Sequence, residues 1–283
     1  MNRNIQTFIG CDSEYEDSDI VLFGAPFDGT ASFRPGTRFG PSAIRNDAFG
    51  LETYSPYQDR DMSEVRVCDV GDLELPFGNT EKVLKIIESA SEEILKCGKI
   101  PVMMGGEHLV SFASVSAVIR KYPELNIIHF DAHADLRDEY MGEKLSHATV
   151  MRRIWELTGD GKIFQFGIRS GERNEFEFAE KHTVMRKYDL GGFEEVLDRL
   201  RGKPVYFSLD LDVLDPGIFP GTGTPEAGGI SFQELITSIC KLRGANVVAC
   251  DVNELSPIYD QSGVSTALAC KTVREIILTL KGE

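Results

Sequence analysis

Short apolar runs rich in β-branched and aromatic residues recur along the chain. They read DIVLFG (19–24), EVRVCDV (64–70), KIPVMMGG (99–106), LNIIHFD (125–131), KIFQFGI (162–168), PVYFSLD (204–210) and NVVACDVNE (246–254). Each has the length and composition of a β-strand. Between most of them lie stretches of helical length: TEKVLKIIESASEEILKCG (80–98), HLVSFASVSAVIRKY (108–122), SHATVMRRIWELTG (146–159) and FQELITSICKLRG (232–244). Their apolar residues return every three or four positions, as on one face of a helix. Alternating strand and helix predicts right-handed βαβ crossovers and an α/β fold, a mostly parallel sheet with helices on both faces. No linker, low-complexity tract or internal repeat divides the chain, so residues 1–283 are expected to form a single domain. In open parallel sheets ligands bind at the carboxyl ends of the strands, which is where reactive side chains are expected.

Composition narrows the setting. With 42% hydrophobic and 27% charged residues, the chain has the balance of an ordinary soluble globular protein. No apolar run approaches the ~20 residues needed to span a bilayer, and the N-terminus lacks the pattern of a cleaved leader. A cytoplasmic location is expected. Cys11, Cys68, Cys97, Cys240, Cys250 and Cys270 have no close pair and are expected to be small buried hydrophobes rather than a disulfide framework or zinc knuckle. A formal charge of −15 argues against nucleic-acid or anionic-membrane partners, which require clustered Lys and Arg. It suits a small cationic substrate.

Three strand ends carry metal-competent side chains. After NIIHF come Asp131, His133 and Asp135 at alternate positions, and alternate residues of an extended segment face one side. Asp210 and Asp212 follow PVYFS with the same spacing. Two carboxylates on one face of an apolar strand repel unless a cation or buried base lies between them. A third run ends in Gly105-Gly106-Glu107-His108, where the glycines permit a tight turn that aims His108 inward. Alone, a histidine after Gly-Gly is more often a capping residue; its weight comes from its company. Together His108, Asp131, His133, Asp135, Asp210 and Asp212 offer two imidazoles and four carboxylates, whose charge would balance two divalent cations. Oxygen-rich ligands with imidazole favour Mn, Fe, Ni or Co. His129 is expected to be a core residue supporting this site, and His182, in a charged stretch, to lie on the surface.

These motifs resemble those of the ureohydrolase family, which includes agmatinase, arginase, guanidinobutyrase and formimidoylglutamase. The resemblance runs through SFRPGTRFGPSAIR (32–45), GGEH (105–108), DAHAD (131–135), SLDLD (208–212), DPGIFPGTGTPEAGG (215–229) and DVNELSP (251–257), and is to the agmatinase pattern. It implies an arginase-like, about eight-stranded parallel sheet, two Mn2+ ions per subunit and assembly into homotrimers or homohexamers. By resemblance, His108, Asp131, Asp135 and Asp210 hold one ion, while Asp131, His133, Asp210 and Asp212 hold the other. Glu254 matches the acidic residue placed against the guanidinium, and His147 a histidine near the mouth of the site.

The implied reaction is hydrolysis of agmatine to putrescine and urea by a hydroxide bridging the two ions. Asp135 would carry the proton to the departing amine, and His147 would exchange protons with solvent or product, a task suited to a pKa near 6.5. Arginase or guanidinobutyrase activity is the alternative on the same scaffold. The arginase pattern commonly has Asn where this chain has Arg137, expected on the outer surface, and an apolar residue where it has Glu226. A catalytically silent oligomeric binding module is the alternative outside enzymes; it would be expected to lose a ligand, and all six are present.

Overall fold

The computed structural model describes residues 6–281 of the chain. Its strands are β1 (Ile20–Ala25), β2 (Tyr54–Ser55), β3 (Arg60–Asp61), β4 (Val67–Asp72), β5 (Ile100–Gly105), β6 (Asn126–Phe130), β7 (Ile163–Ile168), β8 (Val184–Lys187), β9 (Val205–Asp210) and β10 (Val247–Asn253). The α-helices are α1 (Gly40–Ala48), α2 (Thr80–Lys96), α3 (Val110–Lys121), α4 (Val150–Thr158), α5 (Arg173–His182), α6 (Phe193–Arg199), α7 (Phe232–Lys241) and α8 (Val264–Leu280). Eight strands form one parallel sheet in the order β4-β1-β5-β10-β9-β6-β7-β8, and β2 and β3 make a separate antiparallel hairpin. The fold is therefore the expected single α/β domain.

Alternation along each strand sends neighbouring residues to opposite layers. In β1, Ile20 and Leu22 pack with α1, α7 and α8, whereas Val21 and Phe23 pack with α2 and α3 on the other face. Tyr206 of β9 meets the layer formed with α3, α4 and α5, and its neighbours Val205 and Phe207 meet the opposite one. Both faces of the sheet are thus covered, which explains why the strands read as nearly unbroken apolar runs. No helix among the described residues is long and apolar enough to cross a membrane.

Connectivity creates the crevice. After β5 the chain passes through α3 to β6, three places away in the sheet, and the intervening positions are filled by β9 and β10 from the end of the sequence. Such a break in strand order opens a cleft beyond the carboxyl ends of the strands. The turn that bounds it after β5 is packed backbone to backbone: Gly106 N–H donates to Ala25 C=O at 2.9 Å, and Glu107 N–H to Phe27 C=O at 2.7 Å.

All six cysteines are free. Cys11, Cys250 and Cys270 are buried as expected, but Cys68 and Cys240 are only partly covered and Cys97 is exposed just beyond α2. Cys97 follows the last turn of an amphipathic helix, so its apolar context is local and not that of the core.

A Cβ on Gly106 would lie 1.9 Å from the Phe27 carbonyl oxygen, against backbone that cannot rotate away. Gly106→Ala is expected to destabilise the protein by about 3 kcal/mol, near the upper end for overpacking. The measurement is the midpoint of urea unfolding against wild type, and an unchanged midpoint would contradict this packing.

Candidate metal centre

Four adjacent strands, β5, β10, β9 and β6, deliver the candidate residues to one place, though not by strand alternation alone. β6 stops at Phe130 and β9 at Asp210. Beyond Phe130 the segment leaves the sheet and runs beside the loop after β7: Ala134 N–H donates to Ser170 C=O, and Arg169 and Ser170 N–H both donate to Ala132 C=O. Asp135 then takes φ of 54°, a left-handed conformation unfavourable for a residue with a side chain. Its carbonyl accepts the first N–H groups of α4, from Met151 and Arg152. Asp212 lies in the 3-10 turn Leu211–Val213, its N–H donated to Asp210 Oδ1 at 2.8 Å. The extended-strand expectation is thus corrected: a bent loop and a tight turn bring these carboxylates together.

His108 Nδ1 lies 3.0 Å from Asp131 Oδ2, 3.3 Å from Asp210 Oδ2 and 3.5 Å from Asp135 Oδ2. On the far side of the ring, Nε2 is 2.9 Å from Ser208 Oγ, which donates its own proton to Asp251 Oδ1. Ser208 must then accept from Nε2–H, and in neutral imidazole this leaves Nδ1 with a lone pair facing three carboxylates. His133 Nδ1 lies 2.9 Å from Asp212 Oδ2 and 3.5 Å from Asp131 Oδ1. Asp131 therefore addresses both histidines, one with each oxygen. The structure brings all six residues into one cluster.

Electrostatics makes this cluster unstable as bare protein. Burial pushes Asp210 well above the usual carboxylate range, reinforced by Asp212 and Asp131, and burial with Asp131 does the same to Asp135. Burial also opposes charge on His108, yet Asp131 and Asp210 outweigh it and raise the imidazole strongly. Buried polar atoms are rarely unpartnered, but His108 Nδ1 and Asp212 Oδ2 lack hydrogen-bond partners. Both belong to side chains able to ligate a metal and lie among the clustered carboxylates. Two oxygen-rich half-sites sharing Asp131 fit a pair of divalent cations.

His129 occupies the supporting position expected of it. Buried within β6, it donates Nε2–H to Asp131 Oδ2 at 2.8 Å and accepts from Gln165 Nε2 at its Nδ1. Both nitrogens are engaged, so it orients a carboxylate instead of joining it as a ligand. His182 lies at the surface as expected, away from the cluster and partly exposed: it stacks on Phe178 at 4.2 Å and meets Trp155, with Nδ1 paired to Asp160.

Above the cluster opens a cavity of about 450 Å³ lined by, among others, Glu254, His147, Arg137, Tyr140, Glu172 and Glu226. Glu254, with φ of 66°, donates its N–H to Gly106 C=O and accepts His108 N–H at Oε1, 2.7 Å away. Burial, then Asp212, push its carboxyl up to about 8. His147 donates Nδ1–H to Thr30 C=O at 3.0 Å and packs edge-on to Tyr140. Burial lowers it to about 4, so the expectation of a pKa near 6.5 is corrected: the ring is neutral at physiological pH, with Nε2 as its acceptor.

Arg137 also departs from expectation. Instead of lying on the outer surface it forms part of the cavity wall, 3.2 Å from Glu172 Oε1 and 3.5 Å from Glu175 Oε2, over the Tyr140 ring. Glu226 stands opposite, accepting from Ser170 Oγ, its Oε1 3.9 Å from His133 Nε2.

Arg169 escaped sequence reasoning. Its guanidinium donates to the carbonyls of Asp212, Val213 and Glu226, stapling the turn that bears Asp212 to the loop that bears Glu226. Nothing in the run GIRSGERN distinguishes it from a surface arginine. Glu107 and Thr30 escaped as well; their hydrogen bonds connect segments 77 residues apart.

Comparison with known proteins agrees with this architecture. The model of the Arginase family matches residues 18–279. The agmatinases of Bacillus anthracis and Bacillus subtilis are each 48% identical over 277 residues, covering 96% of this chain and 96% of theirs. The crystal structure of agmatine ureohydrolase of Thermoplasma volcanium superposes with a TM-score of 0.90 at 33% identity, over 98% of this chain and 95% of that one. With that fold, and with near-half identity to two relatives along almost its whole length, the chain belongs to the arginase family, the ureohydrolases.

Proposed function

We propose that this chain hydrolyses agmatine to putrescine and urea at a centre of two Mn2+ ions per subunit. The observation that carries the reading is the cluster of four carboxylates and two imidazoles around two buried, unpartnered ligand atoms, beneath an acidic cavity. The names of the Bacillus relatives support agmatine as the substrate. One ion would be held by His108, Asp131, Asp135 and Asp210, the other by Asp131, His133, Asp210 and Asp212. Assembly as a homotrimer or homohexamer in the cytoplasm belongs to the same reading, as does a single functional domain over 1–283.

A guanidinium carbon is a poor electrophile because its charge is delocalised. Two bound cations lower the pKa of water from about 15.7 towards 7 and so supply hydroxide at neutral pH. The chain's own residues do the rest. Glu254 has Oε1 committed to His108 N–H; a cationic guanidinium beside it favours the ionised carboxylate that burial and Asp212 oppose, and its other oxygen then accepts the guanidinium N–H groups in charge-assisted hydrogen bonds. Collapse of the tetrahedral adduct requires a protonated amine; Asp135, on the cavity lining, would accept the proton that the attacking oxygen sheds and deliver it to the nitrogen as the C–N bond breaks. His147 Nε2, bearing the lone pair, takes up a proton at the mouth and returns it to product amine or solvent.

Arginine is the second reading, favoured by the presence of Arg137 in the cavity wall. Its guanidinium is already paired with Glu172 and Glu175, so an α-carboxylate would have to compete with both and pass Glu226. 4-Guanidinobutyrate meets the same obstacle.

Purified protein is expected to release urea from agmatine with manganese and to lose that activity on chelation. Asp210→Asn should reduce it by more than about 100-fold with loss of bound metal, whereas Asp138→Asn, whose exposed carboxylate pairs with a buried Arg153 that keeps Glu156 as a second partner, should be nearly silent. Urea assays with metal analysis decide this, and full activity without metal would refute the proposal. For agmatine, kcat/KM should exceed that for arginine by at least about tenfold, the cost of burying an unpaired carboxylate being on the order of 1–3 kcal/mol. An arginine preference abolished by Arg137→Ala would establish the second reading. Finally, His147 should titrate at about 4, leaving no acid limb from this ring near pH 6.5; an NMR midpoint near 6.5 would contradict its assigned role as a neutral acceptor.

A further inference from the structure

We infer that Thr30 and Glu107 are positioning residues that fix the ring orientation and tautomer of His147, the inference resting on the proton-transfer role proposed above. Glu107 is buried and adjoins His108, yet its carboxylate bonds to a segment outside the carboxylate cluster. Both its oxygens go to Thr30: Oε1 accepts the hydroxyl at 2.6 Å and Oε2 the backbone N–H at 3.0 Å. Thr30 in turn holds His147 at two points. Its Oγ1 accepts His147 N–H at 3.1 Å, and its carbonyl lies 3.0 Å from Nδ1.

Chemistry determines the direction of each bond. A carbonyl oxygen only accepts, so His147 Nδ1 carries the proton and Nε2 keeps its lone pair. That lone pair lies 3.4 Å from Ser32 Oγ at the cavity wall. Thr30 Oγ1 gives its one proton to Glu107 and so is a pure acceptor towards His147 N–H. The segment from 29 to 35 has no helix or strand of its own to hold it; Glu107 clamps one end, and Asp28, accepting Gly36 N–H at 2.8 Å, ties off the other. Without the clamp, Thr30 C=O loses its fixed position, and His147 becomes free to place its proton on either nitrogen. The turn after β5 therefore serves both ends of the reaction, with His108 facing the metal ligands and Glu107 holding the segment that orients the proton acceptor.

The test uses the manganese-loaded, full-length enzyme with agmatine. Thr30→Val keeps the volume and removes the hydroxyl; it should lower kcat at least tenfold, leave KM within about twofold and leave metal content unchanged. Thr30→Ser should restore kcat. In a His147→Asn background Thr30→Val should cause no further loss, because the residue it positions is gone. Glu107→Gln, which places a donor against Thr30, should show the same pattern, and serves if Thr30→Val does not fold. Imidazole 15N shifts of magnesium-loaded protein give a reading independent of activity: one Nδ1–H tautomer at His147 in wild type, a mixture in Thr30→Val. Undiminished kcat in Thr30→Val, or losses that add in full to those of His147→Asn, would overturn the inference. If His147→Asn itself were fully active, the proton-transfer role would fall, while the 15N shifts would still decide the positioning: a mixture sustains it and an unchanged tautomer ends it.

Discussion

The turn from Gly105 to His108 is the constraint on which the rest of the site depends. Its last three residues make contacts in four directions. Gly106 lies against the Phe27 backbone with no room for a side chain, and its carbonyl receives Glu254 N–H. Glu107 binds Thr30, and His108 presents its ring to three carboxylates while giving its N–H to Glu254. A displacement of this turn would move together the proposed metal ligand His108, the proposed guanidinium partner Glu254 and the loop over the mouth. Positioning at this precision comes cheaply only from backbone packed on a rigid sheet, and β5 supplies it, lying between β1 and β10.

Around that turn the protein accepts costs that make sense only with cations present. Asp135 and Glu254 both adopt left-handed backbone conformations, each unfavourable by about 1–3 kcal/mol. Asp131, Asp210 and Asp212 are almost wholly enclosed. The support beneath them is polar and complete: His129 and Gln165 under Asp131, Ser208 and Asp251 behind His108, Arg169 under Asp212. Each partner removes a degree of freedom from a residue of the cluster, as an orienting shell should; His129 does so at Asp131 Oδ2, the oxygen that also faces His108, and leaves that atom a second lone pair.

How much of this was legible in sequence follows from how each element is buried. Six of the eight sheet strands announced themselves because burial on two faces demands apolar runs, and the edge strand β4, half-exposed, did so through the valines of EVRVCDV. β8 did not, since VMRK is a charged edge strand, a composition that guards an unpaired edge. α8 was hidden for the opposite reason: it is buried nearly all round, so its seventeen residues show no polar face, and VREIILTL looks as much like strand as helix. The clustering of the candidate ligand residues was legible through residue type and spacing, even though the alternation invoked for them gives way to a bent loop and a 3-10 turn. What spacing cannot convey is partnership across the chain. Arg137 sits in a charged run that suggests solvent, and only the fold shows Glu172 and Glu175 drawing it into the cavity wall.

That last contact separates two kinds of construction. The metal-facing residues hang from central strands whose neighbours are apolar on both faces, so any change there is felt through the core. The outer wall is made differently. α5 buries little beyond Glu175 and Ala179, and its start is held by polar bonds: Glu175 accepts Leu136 N–H and Glu172 N–H, and Arg137 bridges both glutamates. Glu226 rides on a loop fixed by Arg169 and by Asp215, which gathers the N–H groups of Gly217, Gly228 and Gly229. Such polar scaffolds can exchange one charged group for another without disturbing the core beneath. On the proposed reading, the reaction is therefore set by the rigid half of the site, while the choice of what lies beyond the guanidinium, an ammonium or a carboxylate, is left to the half that can vary.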